Sequence, residues 1–273
     1  MSEKRTIVLT GASDGIGAAS ARQLRAKGHD VVVVGRSPEK TRRVAEDIGV
    51  TGHVADFADL EQVRGLAAKL LANHPRIDVL ANNAGGTFAR ETTADGFDRT
   101  LQVNHLAPFL LTSLLRDRLL ESGASVIQTS SRAHLLSGAL DRDHLGPQGS
   151  WSATKAYGAA KLANALFTVE LHRRFHAQGL RAVAFHPGVI RTNFASDTSS
   201  VMRLIYRSPL SRLLTSVETG GSRLTWLADG TADRTWRSGA YYVDNREAPV
   251  NPVVRDATAA ARVWDRSEEL LGL

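Results

Sequence analysis

A short apolar strand that runs straight into closely spaced glycines and then into a helix leaves few folds open. Here Thr6–Thr10 leads into Gly11-Ala12-Ser13-Asp14-Gly15-Ile16-Gly17, and an alanine-rich helical pattern follows. Gly11 permits a tight turn, and Gly15 lets the backbone approach a pyrophosphate. Gly17 allows the helix to pack closely on the strand. The helix N-terminus then offers free N–H groups and a favourable dipole to an anion. The spacing is G-x-x-x-G-x-G rather than G-x-G-x-x-G, and it gains its weight from the strand before it and the helix after it.

The rest of the chain repeats that alternation. Thr6–Thr10, 31–34, 78–81, Ser125–Thr129 and 181–185 are apolar without alternation, as buried parallel strands are. Weaker strands are expected at 51–55 and 240–243. Between them, 18–27, 60–72, 96–120 and 151–176 carry apolar residues at helical spacing. Strands alternating with helices imply right-handed βαβ units. The expectation is an α/β Rossmann-type doubly wound parallel sheet of about seven strands with helices on both faces. No repeat, low-complexity tract or linker divides the 273 residues, so one domain, 1–273, is expected. Residues 1–130 would form mainly the cofactor half and 131–273 the catalytic and substrate half.

Composition removes several function classes. The chain has no cysteine, which excludes disulfides, thiolate metal sites and cysteine nucleophiles. Its net charge is +6, but the arginines are dispersed, so nucleic-acid binding is not expected. The run Ile7-Val8-Leu9 is too short for a signal-peptide core, and nothing approaches the roughly 18 apolar residues of a membrane span. A cytoplasmic protein is the expectation.

Further motifs follow in order: Asn82-Asn83-Ala84-Gly85, Asn104 within Val103-Asn104-His105-Leu106, Ser130-Ser131, Tyr157-x-x-x-Lys161 and Pro187-Gly188. With Thr10-Gly11-x-x-x-Gly15-Ile16-Gly17, this series resembles the short-chain dehydrogenase/reductase family over nearly the whole chain. Ser130-Ser131-Arg132-Ala133-His134, Lys161-Leu162-Ala163-Asn164, His186-Pro187-Gly188-Val189, Ser238-Gly239-Ala240-Tyr241-Tyr242 and the tail from Ala261-Arg262-Val263-Trp264 to Leu270 resemble its retinol-dehydrogenase-like branch. The related light-dependent protochlorophyllide reductases depend on a cysteine that this chain lacks.

The resemblance implies a catalytic tetrad of Asn104, Ser131, Tyr157 and Lys161. Tyr157 and Lys161 stand four apart on one helix face. An ammonium beside a phenol favours the phenolate, so a lowered tyrosine pKa is expected. Tyr157 would exchange the proton of a substrate oxygen as hydride moves at carbon. Ser131, favoured over Ser130 by family spacing, would orient that oxygen. Lys161 would hold the nicotinamide ribose, and Asn104 a water leading from Lys161 to solvent. Cofactor contacts are implied at Gly11, Ser13, Asp14, Gly15, Ile16, Gly17, Arg36, Asp56, Phe57, Asn82, Asn83, Gly85, Tyr157, Lys161, Pro187, Gly188, Ile190 and Thr192. Strand two ends in Val34-Gly35-Arg36-Ser37, with no acidic residue to repel a 2′-phosphate. Arg36 suits that phosphate, so NADP(H) is favoured and NAD(H) stays open. Asp14 argues mildly the other way.

An alcohol or carbonyl substrate, apolar and retinoid-, steroid- or lipid-like, is expected under a lid at 194–216. That segment mixes apolar residues with arginines, which leaves contact with an anionic membrane open but not favoured. A homodimer through the helices starting near Gly96 and Trp151 is also open. His172 and His176 lie four apart but lack a further ligand nearby, so no metal is expected. His134 and His186 are expected to pack or support the site. Ser131 lacks the Gly-x-Ser-x-Gly elbow of a hydrolase. A catalytically idle NADP(H) sensor or scaffold on the same fold is the rival from another class. An extended epimerase or dehydratase would need a longer C-terminal part than the roughly 85 residues after Pro187-Gly188.

Overall fold

β-Branched runs supply the sheet. In the structure, a computed structural model that describes residues 3–138, 140, 152–190 and 215–273, these runs form β1 (Thr6–Thr10), β2 (Asp30–Gly35), β3 (Gly52–Val54), β4 (Val79–Asn82), β5 (Ser125–Thr129), β6 (Arg181–His186) and β7 (Tyr241–Val243). They are ordered β3-β2-β1-β4-β5-β6-β7, every neighbouring pair parallel. An eighth strand, β8 (Arg246–Glu247), returns antiparallel to β7. Its turn residues Asp244 and Asn245 both hold positive φ, 52° and 59°, the backbone of a type I′ hairpin. Two exposed residues leave no pattern to read, which is why about seven strands were expected.

Helices cover both faces. On one side lie α1 (Gly15–Ala26), α2 (Pro38–Ile48) and α8 (Val217–Asp229), which close a core with Ile7, Leu9, Val31, Val33 and Val183. Gly221 lets α8 press on α1, since a Cβ there would stand 2.7 Å from that of Ala19. On the other side are α3 (Leu60–Asn73), the one-turn α4 (Arg99–Leu101), α5 (Ala107–Leu114), α6 (Arg116–Glu121), α7 (Ala153–Phe175) and α9 (Ala257–Leu271). Of these, α3, α5, α7 and α9 dominate the larger core, which takes the alternate strand residues Val8, Val32, Leu80 and Val126.

Two local features position the site. Between α4 and α5 the chain makes a π-helical turn, Gln102–Leu106, that carries Asn104 and His105 into the interior. Such turns recur at functional sites because the extra residue re-aims a side chain. Second, α9 lies on α7, with Trp264 packed on Phe109, Phe167 and Phe175 and covered by the Arg174 guanidinium. This side of α5 and α7 is therefore occupied by the chain's own last helix. Among the described residues no helix is long and apolar enough to cross a membrane.

Candidate active site

The glycine loop sits where the sequence places it, between β1 and α1. Gly11 adopts φ +64°, and a Cβ on Gly17 would lie 2.2 Å from the Gly11 carbonyl oxygen, so the close approach requires glycine. The loop is braced from β4. Asn83 donates its amide to Thr10 O (3.0 Å), while the Thr10 hydroxyl accepts from the backbone N–H of Asn83 and Ala84, each at 3.0 Å. Asp14 caps α1 by accepting from Gly15 N (2.8 Å). Its other oxygen accepts from Lys40 Nζ at 2.6 Å, and that bond holds the carboxyl below the usual range. The charge at Asp14 is thus locally neutralised. Arg36 is exposed and makes no ion pair with a described residue. Beside it, a Cβ on Gly35 would meet the Ser13 and Thr41 hydroxyls at 2.6 and 2.4 Å, so two hydroxyls converge at the end of β2.

The structure brings Asn104, Ser131, Tyr157 and Lys161 together. The two serines are distinguished by their partners. Ser130 is buried and spends its hydroxyl on Lys161 O (2.8 Å). Ser131 is partly exposed, caps the turn Arg132–Leu136 through Ala133 N (3.2 Å), and is hydrogen-bonded to the Tyr157 hydroxyl. Lys161 is 3% exposed and donates to Thr129 O at 3.0 Å. Asn104 clamps the loop after β4, donating to Gly86 O (2.8 Å) and Thr100 O (2.8 Å) and accepting from Gly86 N (3.1 Å). A Cβ on Gly85 would sit 2.5 Å from Asn104 Oδ1 and 3.3 Å from Lys161 Nζ, so this position is a cradle kept free of side chain.

The expected lowering of the tyrosine pKa is not what the packing gives. Desolvation pushes the Tyr157 phenol up to about 12, with the Ser131 hydrogen bond opposing it. Burial also pushes Lys161 down to about 7. The ammonium lies 5.4 Å from the centre of the Tyr157 ring and donates to Thr129 O. Low dielectric penalises both charged forms, and that cost exceeds their attraction in this geometry.

Other expected contacts are placed as follows. Pro187 O accepts from Arg223 Nη1 (2.7 Å), Gly188 holds φ +105°, and Ile190 bridges to Thr215. Asp56 caps the turn into α3 through Ala58 N (2.9 Å). The Phe57 ring is in the core, which leaves only its backbone to a ligand, and Asn82 is buried against Thr112. Thr192 and 194–214 of the expected lid lie outside the described residues. His134 is fully buried, with Nδ1 2.6 Å from Ser131 O, directly behind the serine. Burial, aided by Arg132 and Arg223, drives His186 down to about 4. His172 pairs with Ser238 and His176 with Asp233. Sequence reading missed Thr10, Lys40 and Asn164. Thr10 stands inside the glycine motif and Asn164 inside Lys161-Leu162-Ala163-Asn164, so both had a signal. Lys40 had none, being one basic residue among 34.

A phenol bonded to a hydroxyl, with an ammonium beneath its ring, can exchange a proton with an oxygen placed above them. Comparison with known proteins gives the family of the chain. The family described as short chain dehydrogenase matches residues 5–202. A protein of Streptomyces sp. (strain C5), whose name gives daunorubicin C-13 ketoreductase as a provisional activity, is 42% identical over 98% of this chain and 93% of its own. Human retinol dehydrogenase 13 is 37% identical over 98% of this chain and 85% of its own. A crystal structure of an uncharacterised Mycobacterium paratuberculosis protein superposes with a TM-score of 0.77 at 31% identity, covering 98% of this chain and 93% of that one.

Proposed function

The chain belongs to the short-chain dehydrogenase/reductase family, and on that premise we propose that it is an NADP(H)-dependent reductase of apolar ketones or aldehydes. The observation that carries the reading is the Ser131–Tyr157–Lys161 cluster beside a side-chain-free cradle at Gly85.

The residues fit a dinucleotide. The α1 N-terminus and the loop from Gly11 to Gly17 would hold the pyrophosphate. Arg36 and Lys40 would face a 2′-phosphate, Lys40 exchanging its bond to Asp14 for the stronger anion. Gly85 would admit the nicotinamide ribose against Lys161. When bound, the nicotinamide supplies the hydride that reduction adds to carbon. Ser131 donates to the carbonyl oxygen and fixes it over the Tyr157 hydroxyl. Tyr157 gives its proton to that oxygen as the C–O double bond becomes an alcohol. Lys161, where protonated, offsets the charge left on the phenolate. A phenol held near 12 rests in its proton-bearing form at neutral pH, the form set for reduction.

Apolarity of the substrate is supported by the surface. Among the described residues, the exposed large apolar side chains include Leu135 and Leu136, four and five residues after Ser131, and Val189, next to Gly188. The two relatives, named as a ketoreductase and a retinol dehydrogenase, agree with a carbonyl–alcohol reaction.

The test is Tyr157→Phe. We expect NADPH oxidation with an apolar ketone to fall at least ~10²-fold, the low end for a general acid. NADPH binding, measured by fluorescence, stays within about threefold, because the phosphate loop and Lys161 carry it. Near-normal turnover in this variant refutes the assignment. A wild type that binds NADPH but reduces no carbonyl points instead to a sensor or scaffold.

A further inference from the structure

Next to Lys161, three polar side chains are sealed in the core. Asn164 of α7 is 2% exposed, and His105 of the π-helical turn and Ser267 of α9 are fully buried. The Asn164 amide nitrogen donates to Asn104 O at 2.9 Å and to Thr129 O at 3.3 Å. Thr129 O is also the acceptor of the Lys161 ammonium at 3.0 Å. Asn104 O is open to a side chain because Pro108, four residues on, has no N–H for an α-helical bond. One carboxamide therefore holds together the two strands of chain that frame the lysine.

Hydrogen-bond bookkeeping fixes the rest. Both amide protons of Asn164 face carbonyls, so its oxygen faces His105 Nδ1, at 3.2 Å. A carboxamide oxygen only accepts, so Nδ1 must carry the proton. Burial drives the His105 pKa down to about 4, so the ring is neutral and Nε2 is bare. The Ser267 hydroxyl lies 2.9 Å from Nε2 and 2.7 Å from Val263 O, and has one proton for two acceptors. Val263 O already has a helical position, whereas Nε2 has no other donor among the described residues, so the proton goes to the ring. Every donor then runs one way, from Ser267 through His105 and Asn164 to the carbonyls at Lys161.

We propose that Asn164 is a positioning residue for the reaction, held by His105 and Ser267, so that the C-terminal helix sets the frame in which Lys161 sits. It rests on the reading of Tyr157 and Lys161 given above, and touches neither substrate nor cofactor. Lys161, Tyr157 and His105 are the titratable groups facing this frame.

Two measurements test it. Imidazole nitrogen NMR of the cofactor-free protein reads the His105 tautomer without any substrate. We expect Nδ1–H, unchanged from pH 6 to 9, and an Nε2–H or charged ring overturns the network. Steady-state kinetics with NADPH then compare Asn164→Ala, His105→Leu and His105→Asn. Asn164→Ala and His105→Leu should lose roughly 10- to 100-fold in kcat, with the alkaline limb of its pH profile displaced and KM for NADPH within threefold. His105→Asn, which restores a donor at the Nδ1 position, should regain most of the loss. Equal kcat in the two His105 variants, or wild-type kcat and pH profile with only a lowered Tm, overturns the proposal. Should Asn164→Ala not fold, the His105 pair decides alone. A wild type inactive on all carbonyls defeats the functional reading, while the tautomer result still judges the network.

Discussion

Lys161 shows how a residue's role and its stability cost separate. Its pKa in the fold, about 7, lies below the ordinary lysine value of 10.5. Between those values the unfolded chain binds the more protons, so this group makes stability rise with pH there. The penalty is complete below pH 7 and absent above about 10.5. Lys161→Met keeps the volume and removes the penalty. We expect the variant to be inactive yet more stable at pH 7, on the order of a few kcal/mol before the loss of the bond to Thr129 O is counted. The gain should shrink as pH rises toward 10. Denaturation of both proteins from pH 6 to 10 checks this, and a variant less stable at every pH contradicts it. Arg36 gives the matching prediction for cofactor choice. Arg36→Asp removes a charge-assisted contact worth roughly 1.5–3 kcal/mol and adds repulsion, so NADPH affinity should fall at least ~10-fold and NADH affinity should not. Fluorescence titration decides it, and a wild type indifferent between the two cofactors sinks it. That Asn104, Ser131, Tyr157 and Lys161 would lie together was legible in the sequence because five short motifs stand in a fixed order. The sign of the Tyr157 shift was not. A lysine four residues away suggests attraction, but where the ammonium points and how much water the phenol keeps are set by β5 and the turn after it. Neither is contiguous with Tyr157.

At the scale of elements, strand and helix succession was readable because buried parallel strands are apolar without alternation. The π-helical turn was not readable. Val103-Asn104-His105-Leu106 fits an ordinary helix, and only Pro108 hints that the Asn104 carbonyl loses its local partner. Nor did periodicity reveal that α9 closes over α5 and α7. Trp264 is the keystone there, 2% exposed and in ring contact with Phe109 (4.9 Å), Phe167 (5.6 Å) and Phe175 (5.8 Å). Trp264→Ala should cost about 3–5 kcal/mol, the range for emptying an aromatic site. Trp264→Phe should cost much less, because its Nε1 has no hydrogen-bond partner to lose among the described residues. Urea denaturation of the three proteins tests the ranking. If the alanine variant unfolds within 1 kcal/mol of wild type, as gauged by roughly one CH₂ burial equivalent, α9 is not anchored by this ring.

Over the whole molecule, the arrangement of polar and apolar surface bears on what enters the site. The chain is basic, +6 overall, which suits an anionic cofactor but does not select a substrate. Exposed apolar residues do more. Leu136 is 91% exposed, Leu135 43% and Val189 52%, and all three sit on the segments that leave the carboxyl ends of β5 and β6. Doubly wound sheets bind ligands at that edge. A leucine in open water contributes nothing to the fold, so its replacement should leave stability within about 0.5 kcal/mol. If Leu136 instead meets the body of a bound substrate, covering it is worth roughly 1.5–3 kcal/mol, or about 10- to 100-fold in kcat/KM. Leu136→Ser should therefore lower kcat/KM for a long apolar ketone or aldehyde by that factor. A small water-soluble carbonyl, too short to reach Leu136, should be reduced equally well by both proteins. The contrast separates contact from damage, since a distorted active site slows both substrates. Equal loss on the two, or no loss on either, removes Leu136 from the substrate path. A wild type that prefers the small polar carbonyl outright defeats the apolar reading of the site.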